Sequence, residues 1–288
     1  MTIKLVAFAD LSLKKSAQRL KEQAVRSGYY DQIKVYSEKD LDENCKNEIK
    51  QIIKKTGKKR GYGYWFWKPY IVLNELKSVN EGDIINYVDV GCHILSNKNE
   101  KFQLYLNTLQ YKKKDVVAFQ YNPLKKDKFK NINFPLREEY KFTKSDLFDH
   151  FNLKSNNLVF KSPQFWAGCF FIKKSNFSIN FLNEWLNVFK TSINLIDDSL
   201  SKKNYGGFIE NRHDQSVFSL LCKKNNNIES FSAFELDWAL KDNQRTWDCT
   251  VDSPIVAKRD LRYGLIKRFL NRQIKTFKRI NLSLRQNK

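Results

Sequence analysis

Gly61-Tyr-Gly-Tyr-Trp-Phe-Trp-Lys-Pro-Tyr-Ile-Val72, followed by Asp83-Ile-Ile-Asn-Tyr-Val-Asp-Val-Gly91, is the stretch that decides the fold. It reads as a glycine-aromatic loop, a helix opened by Pro69 and a buried strand that delivers one carboxylate, Asp89, to its end. Proline suits the first turn of a helix because its missing N–H would have no partner there. A carboxylate beyond the apolar run Ile84-Ile85-Asn86-Tyr87-Val88 loses hydration, and a cation must offset that loss. A divalent metal carrying a diphosphate is the natural candidate.

The pattern extends in both directions. Leu5-Val-Ala-Phe-Ala9 is a first buried strand ending at Asp10 and Ser12. Ala17, Leu20 and Ala24 share one face of a helix over 13–27, which Gly28 stops. Gln32–Tyr36 alternates as a second strand, 40–55 is helical, and 57–63 forms a basic loop containing glycine. Further strands are expected at 84–88, 116–120 and 165–172, with helices at 69–77, 102–109, 176–190 and 213–223. The lysine-rich segment 121–141 reads as a mobile surface insertion, with a lid and plain disorder as competing readings. Strands alternating with helices predict an α/β fold, its largely parallel sheet covered on both faces. Ligands of such sheets gather at the carboxyl ends of strands, where Asp10 and Asp89 both fall.

The 288 residues suffice for a full hydrophobic core, and a hydrophobic content of 41% excludes a disordered chain. The N-terminus turns polar too quickly for a signal peptide, and no apolar run reaches the roughly 20 residues of a membrane span. The expected location is therefore cytoplasmic. Five scattered cysteines without a Cys-x-x-Cys pair argue against a disulfide framework or a structural zinc site. The net charge of +21 admits nucleic acid as a partner, although a bias towards Lys, Asn, Ile and Phe explains it equally well. Neither a dinucleotide fingerprint nor a phosphate loop, a Gly-x-Ser-x-Gly elbow or a His-Glu-x-x-His pair occurs. Three histidines make a histidine-rich metal site a poor candidate.

Four segments then stand in order: Gly61–Tyr70, Tyr87-Val-Asp-Val-Gly-Cys92, Gln164-Phe-Trp-Ala-Gly168 and Arg212-His-Asp-Gln-Ser-Val-Phe-Ser-Leu220. Together they resemble bacterial glycosyltransferases of the GT-A type that build polysaccharide and lipopolysaccharide, over roughly residues 3–260. The resemblance implies a GT-A-like, Rossmann-like sheet over residues 1–257 and a nucleotide-sugar donor, a UDP-sugar first among them. It also implies Mn²⁺ or Mg²⁺ bridging the donor phosphates to an Asp-x-Asp motif. Asp89 stands where that motif is expected, but Gly91 replaces its second member; a cap or turn role is the competing reading of Asp89. Phe8, Ala9 and Asp10 resemble the segment receiving base and ribose, and Tyr87 joins the donor side. Lys68 is a candidate counter-ion of the donor diphosphate, against an ordinary lysine beside core aromatics.

Asp214-Gln215 resembles the Asp-Gln pair of retaining family-8 enzymes, which implies that Gln215 stabilises an oxocarbenium-like transition state while Asp214 holds the donor sugar's hydroxyls. A plain helix cap is the alternative for Asp214. Gln164, Trp166 and Gly168 match a sugar-pocket segment, with a buried bulged strand as the competing reading. His213 would contact acceptor or phosphate, unless residues 211–213 form a solvated loop.

Residues 258–288 place Leu265, Ile266, Phe269, Leu270, Ile274 and Phe277 on one side, with Lys and Arg around them. A basic amphipathic helix of this kind lies on anionic lipid, each nearby cation contributing about 1 kcal/mol. The expected protein is thus peripheral to the inner face of the membrane, with a saccharide or lipid-linked saccharide as acceptor. The function implied is retaining hexosyl transfer to a surface glycan such as lipopolysaccharide or capsule, with no nucleic acid as partner. Three rivals are an inverting transferase with Asp214 as base, a non-catalytic basic nucleic-acid-binding protein, and a degenerate sugar-nucleotide fold kept for binding.

Overall fold

The computed structural model describes residues 1–153, 157–199 and 204–258. The expected tail therefore lies, apart from Lys258, outside the described residues. Six strands form the central sheet: β1 (Ile3–Phe8), β2 (Gln32–Tyr36), β3 (Ile84–Val88), β4 (Val116–Gln120), β5 (Phe165–Lys173) and β6 (Ile228–Ser232). Their order is β2-β1-β3-β5-β4-β6. β5 runs antiparallel to both of its neighbours, and the remaining pairs are parallel. This is the mixed, mainly parallel sheet flanked by helices that the alternation predicts.

Alternation along the strands divides the core into two layers. Val6, Phe8, Ile85, Tyr87, Phe170 and Ile172 face one cluster; Leu5, Ala7, Ile84, Val88, Cys169 and Phe171 face the other. Helices α2 (Glu43–Thr56), α3 (Trp67–Ser78), α5 (Asn176–Thr191) and α6 (Asp214–Lys224) cover the first layer. Helices α1 (Lys14–Ser27) and α4 (Asn99–Tyr111) cover the second. All five cysteines are buried free thiols, so they serve as small apolar side chains.

One expectation is corrected and another is refined. The segment 121–141 is anchored: Ile132–Asn133 pairs antiparallel with Ala239–Lys241, and Tyr121, Phe134 and Glu139 are buried. Its lysines dominate the composition, but the apolar side chains between them find partners in the C-terminal part of the chain. The expected loop at 57–63 ends in a left-handed turn. Gly61, Tyr62, Gly63, Tyr64 and Trp65 all have positive φ, between 48° and 84°. Left-handed geometry costs a residue with a side chain about 1–2 kcal/mol, so neighbours must hold Tyr62, Tyr64 and Trp65 there. Tyr64 donates to Asp198 Oδ2 at 2.9 Å, Trp65 stacks on His213, and the Trp67 indole N–H donates to Gly61 O at 3.1 Å. Glycine is required at 61, where a Cβ would stand 2.5 Å from the Trp65 ring.

A register shift between Ala118 and Phe119 is the second irregularity that shapes the molecule. Ala118 pairs with Phe170, but Phe119 pairs with Trp166, so β5 bulges over 167–169. A bulge takes backbone groups out of the ladder and re-aims them. Here the Ala167 carbonyl accepts from Lys68 Nζ at 3.1 Å, while the Gly168 carbonyl accepts from Asp89 N at 2.7 Å, one step beyond the Val88–Cys169 pair with β3.

Candidate active site

The turn and the bulge meet at the carboxyl end of β3, where α3 and α6 both begin. Lys68, on the first turn of α3, is 3% exposed. Its ammonium lies 2.7 Å from Asp214 Oδ2 and 3.5 Å from Asp89 Oδ1. Burial pulls the lysine pKa down, but the two carboxylates more than offset it and the net shift is upward. Asp214 is buried at the N-terminus of α6, and burial pushes its carboxyl up to about 6, against the pull of Lys68. Asp89 is different: 39% of its side chain is exposed. Tyr87 OH donates to its Oδ1 at 2.7 Å, which fixes the carboxylate beside Lys68 with one edge open to solvent.

The expected residues thus separate into groups. Lys68, Tyr87, Asp89 and Asp214 come together. Lys68 is spent on two carboxylates inside the protein, a correction to its reading as the diphosphate's counter-ion. Tyr87 is fully buried, stacked on Phe170, with its hydroxyl on Asp89 and its ring facing the Lys68 ammonium at 5.2 Å. Asp214 is more than a cap, since its carboxylate faces Lys68 and the N-cap position belongs to His213.

Gln215 is half-buried, and its Nε2 donates to Gln164 Oε1 at 2.9 Å. Gln164 itself is fully buried, so it lines no pocket; enclosure by Glu139, Phe142, Thr143 and Ser216 is the reason. Gly168 does not leave room for a ligand either. A Cβ there would fall 2.3 Å from the Trp166 indole, so the small residue admits Trp166 against the strand.

His213 also departs from its expected role. It is 3% exposed, its Nδ1 donates to Ile196 O at 2.6 Å, and its ring packs against Tyr64 and Trp65. The solvated-loop reading fails as well. At the end of β1, Phe8 is buried against Trp67 with ring centroids 4.0 Å apart. Ala9 N donates to Tyr36 O, and Asp10 accepts from Ser12 N and Oγ as the cap of a short turn. Asp10 nevertheless lies at the same sheet edge as Asp89, because β1 and β3 are parallel neighbours.

Sequence reasoning missed Glu139 and Lys223, a buried ion pair beneath Gln164, and Asp198, which collects Lys58, Arg60 and Tyr64. Glu139 sits in the segment taken for a surface insertion, so no local signal marked it. Arg137 and Arg212 lie over the rings of Tyr121 and Phe142 on the Gln164 side, and Asp237 pairs with Arg137 at 3.3 Å.

Among the described residues no group of three or more His, Cys, Asp and Glu side chains is arranged to hold a metal ion. The trio of two carboxylates and one ammonium, with Asp89 half open, fits a different mode. A divalent cation that brings diphosphate oxygens and waters as most of its ligands needs only one such carboxylate.

No protein-family model matches the chain, and no curated protein does. Among solved structures it is similar to mouse xyloside xylosyltransferase 1, at 8% identity over 82% of this chain and 87% of that one, with a TM-score of 0.44. It is also similar to a glycosyltransferase involved in glycosylation of the major capsid of PBCV-1, at 8% identity over 82% and 85%, TM-score 0.42. A third is the galactosyltransferase LgtC with donor and acceptor sugar analogues, at 11% identity over 82% and 75%, TM-score 0.42.

Burial lowers the His213 pKa to about 4, from an ordinary value near 6.5. The unfolded chain takes up the proton first, so this residue's contribution to stability is present above pH ~6.5 and is lost as pH falls towards 4. His213→Gln is expected to remove on the order of 2 kcal/mol of that acid loss, measured by denaturant unfolding at pH 7 and pH 4.5. Equal losses in both proteins would refute the assignment.

Proposed function

We propose that this chain is a GT-A-like glycosyltransferase. It moves a hexose from a nucleotide-diphosphate sugar, a UDP-sugar, to a saccharide acceptor of a surface glycan, with retention of configuration. One observation carries the reading: a half-exposed carboxylate, Asp89, is held at a strand's carboxyl end by Tyr87 and Lys68, beside the buried Asp214 that precedes Gln215.

Asp89 would hold Mn²⁺ or Mg²⁺, which when bound neutralises the departing diphosphate. Lys68 keeps Asp89 and Asp214 at fixed positions and lowers the cost of placing two carboxylates side by side. Asp214 would orient the sugar's hydroxyls, and Gln215 would face the anomeric carbon. The bond from that carbon to the phosphate oxygen breaks as the bond to the acceptor oxygen forms on the same face. The acceptor proton passes to the departing phosphate oxygen, so no side-chain base is needed. An inverting mechanism would need Asp214 as a free base within reach of the acceptor. Its carboxylate is instead committed to Lys68 at 2.7 Å, which favours retention.

The basic amphipathic segment 258–288 fits docking on anionic lipid, where a lipid-linked acceptor would present its sugar. Among the described residues no helix is long and apolar enough to cross a membrane.

Mn²⁺ and UDP together are expected to raise the melting temperature, while Mn²⁺ alone does not. Asp89→Ala should abolish this shift and also lower the unliganded melting temperature by several degrees, because the buried Lys68 loses one of its two carboxylates. A shift of equal size in the variant would remove Asp89 from the donor site. NMR of the product is expected to show the donor's anomeric configuration; inversion would reverse the mechanism. Chain lacking 264–288 should lose cosedimentation with phosphatidylserine vesicles while retaining turnover on a soluble acceptor. Equal sedimentation of both forms would exclude the lipid role.

A further inference from the structure

The amide groups around Gln215 form a chain whose direction is set by charge. At its buried end lies Glu139, fully enclosed, whose carboxylate receives Lys223 Nζ and Ser219 Oγ on one oxygen and Thr143 Oγ1 at 2.6 Å on the other. Gln164 Nε2 lies 3.0 Å from Glu139 Oε1 and 3.2 Å from the Phe142 carbonyl oxygen. A carboxylate paired with an ammonium accepts hydrogen bonds only, and so does a main-chain carbonyl. The Gln164 end that meets them must therefore be its NH₂ group, because a flipped amide would set three acceptor oxygens face to face. Gln164 Oε1 is consequently turned towards Gln215, 2.9 Å from its Nε2. The same rule then applies one residue further on. Gln215 must turn its NH₂ inward, which leaves its own Oε1 on the half-exposed side.

We propose that Gln164 is a positioning residue: buried and out of reach of any ligand, it fixes the polarity of Gln215 so that a carbonyl oxygen faces the reacting sugar. The inference rests on the reading of Gln215 as the residue beside the anomeric carbon. In an oxocarbenium-like transition state that carbon gains positive charge, which an oxygen stabilises and an NH₂ group opposes. A free glutamine samples both orientations, whereas one anchored through Gln164 to Glu139 and Phe142 O does not. Preorganisation of this kind costs no reorientation at the moment of reaction.

Gln164→Met keeps the volume and removes the acceptor. The expected result is a folded protein whose donor KM stays within about threefold while kcat falls roughly 10- to 100-fold. Gln215→Glu supplies the control, since a carboxylate offers oxygen in either orientation. Against wild-type Gln164 it sets two oxygens together and should lower kcat; in the Gln164→Met background it should raise kcat above that of Gln164→Met alone. An unchanged kcat in Gln164→Met, or a Gln215→Glu effect of the same sign in both backgrounds, overturns the proposal. Should Gln164→Met not fold, side-chain amide exchange in wild-type protein labelled with ¹⁵N-glutamine decides. Slow exchange of the Gln215 NH₂ protons supports the inward orientation, and exchange at the rate of an exposed amide overturns it. Absence of wild-type turnover on every nucleotide sugar would instead sink the transferase reading, while the amide exchange would still report the polarity.

Discussion

Lys68 is held by two carboxylates in a place with almost no access to water, and the arrangement of the site follows from that need. A buried ammonium is costly unless it is paired and its hydrogen bonds are satisfied. Asp214, Asp89 and the Ala167 carbonyl supply this from three different elements: the start of α6, the end of β3 and the bulge of β5. Each is displaced if another moves. The cluster therefore joins the helices of one layer to the sheet at the edge where ligands of α/β sheets bind.

Two local irregularities make the cluster possible. The bulge at 167–169 leaves the Ala167 carbonyl free to receive Lys68, while Gly168 O holds Asp89 N on the β3 side. The left-handed turn at 61–65 sets the aromatic platform before α3 begins. Its strain is offset by Tyr64 on Asp198 and by Trp65 on His213, so His213 serves the turn from its buried position. Backbone strain supported by packing in this manner concentrates where a chain must hold groups in set positions.

A second polar network, from Lys223 through Glu139 and Gln164 to Gln215, runs beside the first, buried as far as Gln164 and half-exposed at Gln215. The two meet at consecutive residues, Asp214 and Gln215, on the first turn of α6. One network fixes where a carboxylate stands; the other fixes which end of an amide faces outward. A buried network with every member satisfied holds one geometry, because each alternative leaves an unpaired group in a low-dielectric interior.

Sequence patterns determined the α/β class, the strands at 32–36, 84–88 and 116–120, and the helices around them, because periodicity follows directly from which face is buried. They also brought Asp89, Lys68, Asp214 and Gln215 into view through apolar runs, proline placement and resemblance. Tertiary structure alone decided the rest. That Gln164, Tyr87 and His213 are enclosed depends on partners 22 to 149 positions away, which no local pattern encodes. The anchored course of 121–141 depends on strand pairing with 239–241. Identity and spacing specify what a side chain can do, whereas burial, set by contacts distant in the chain, selects between touching a ligand and holding the residue that does.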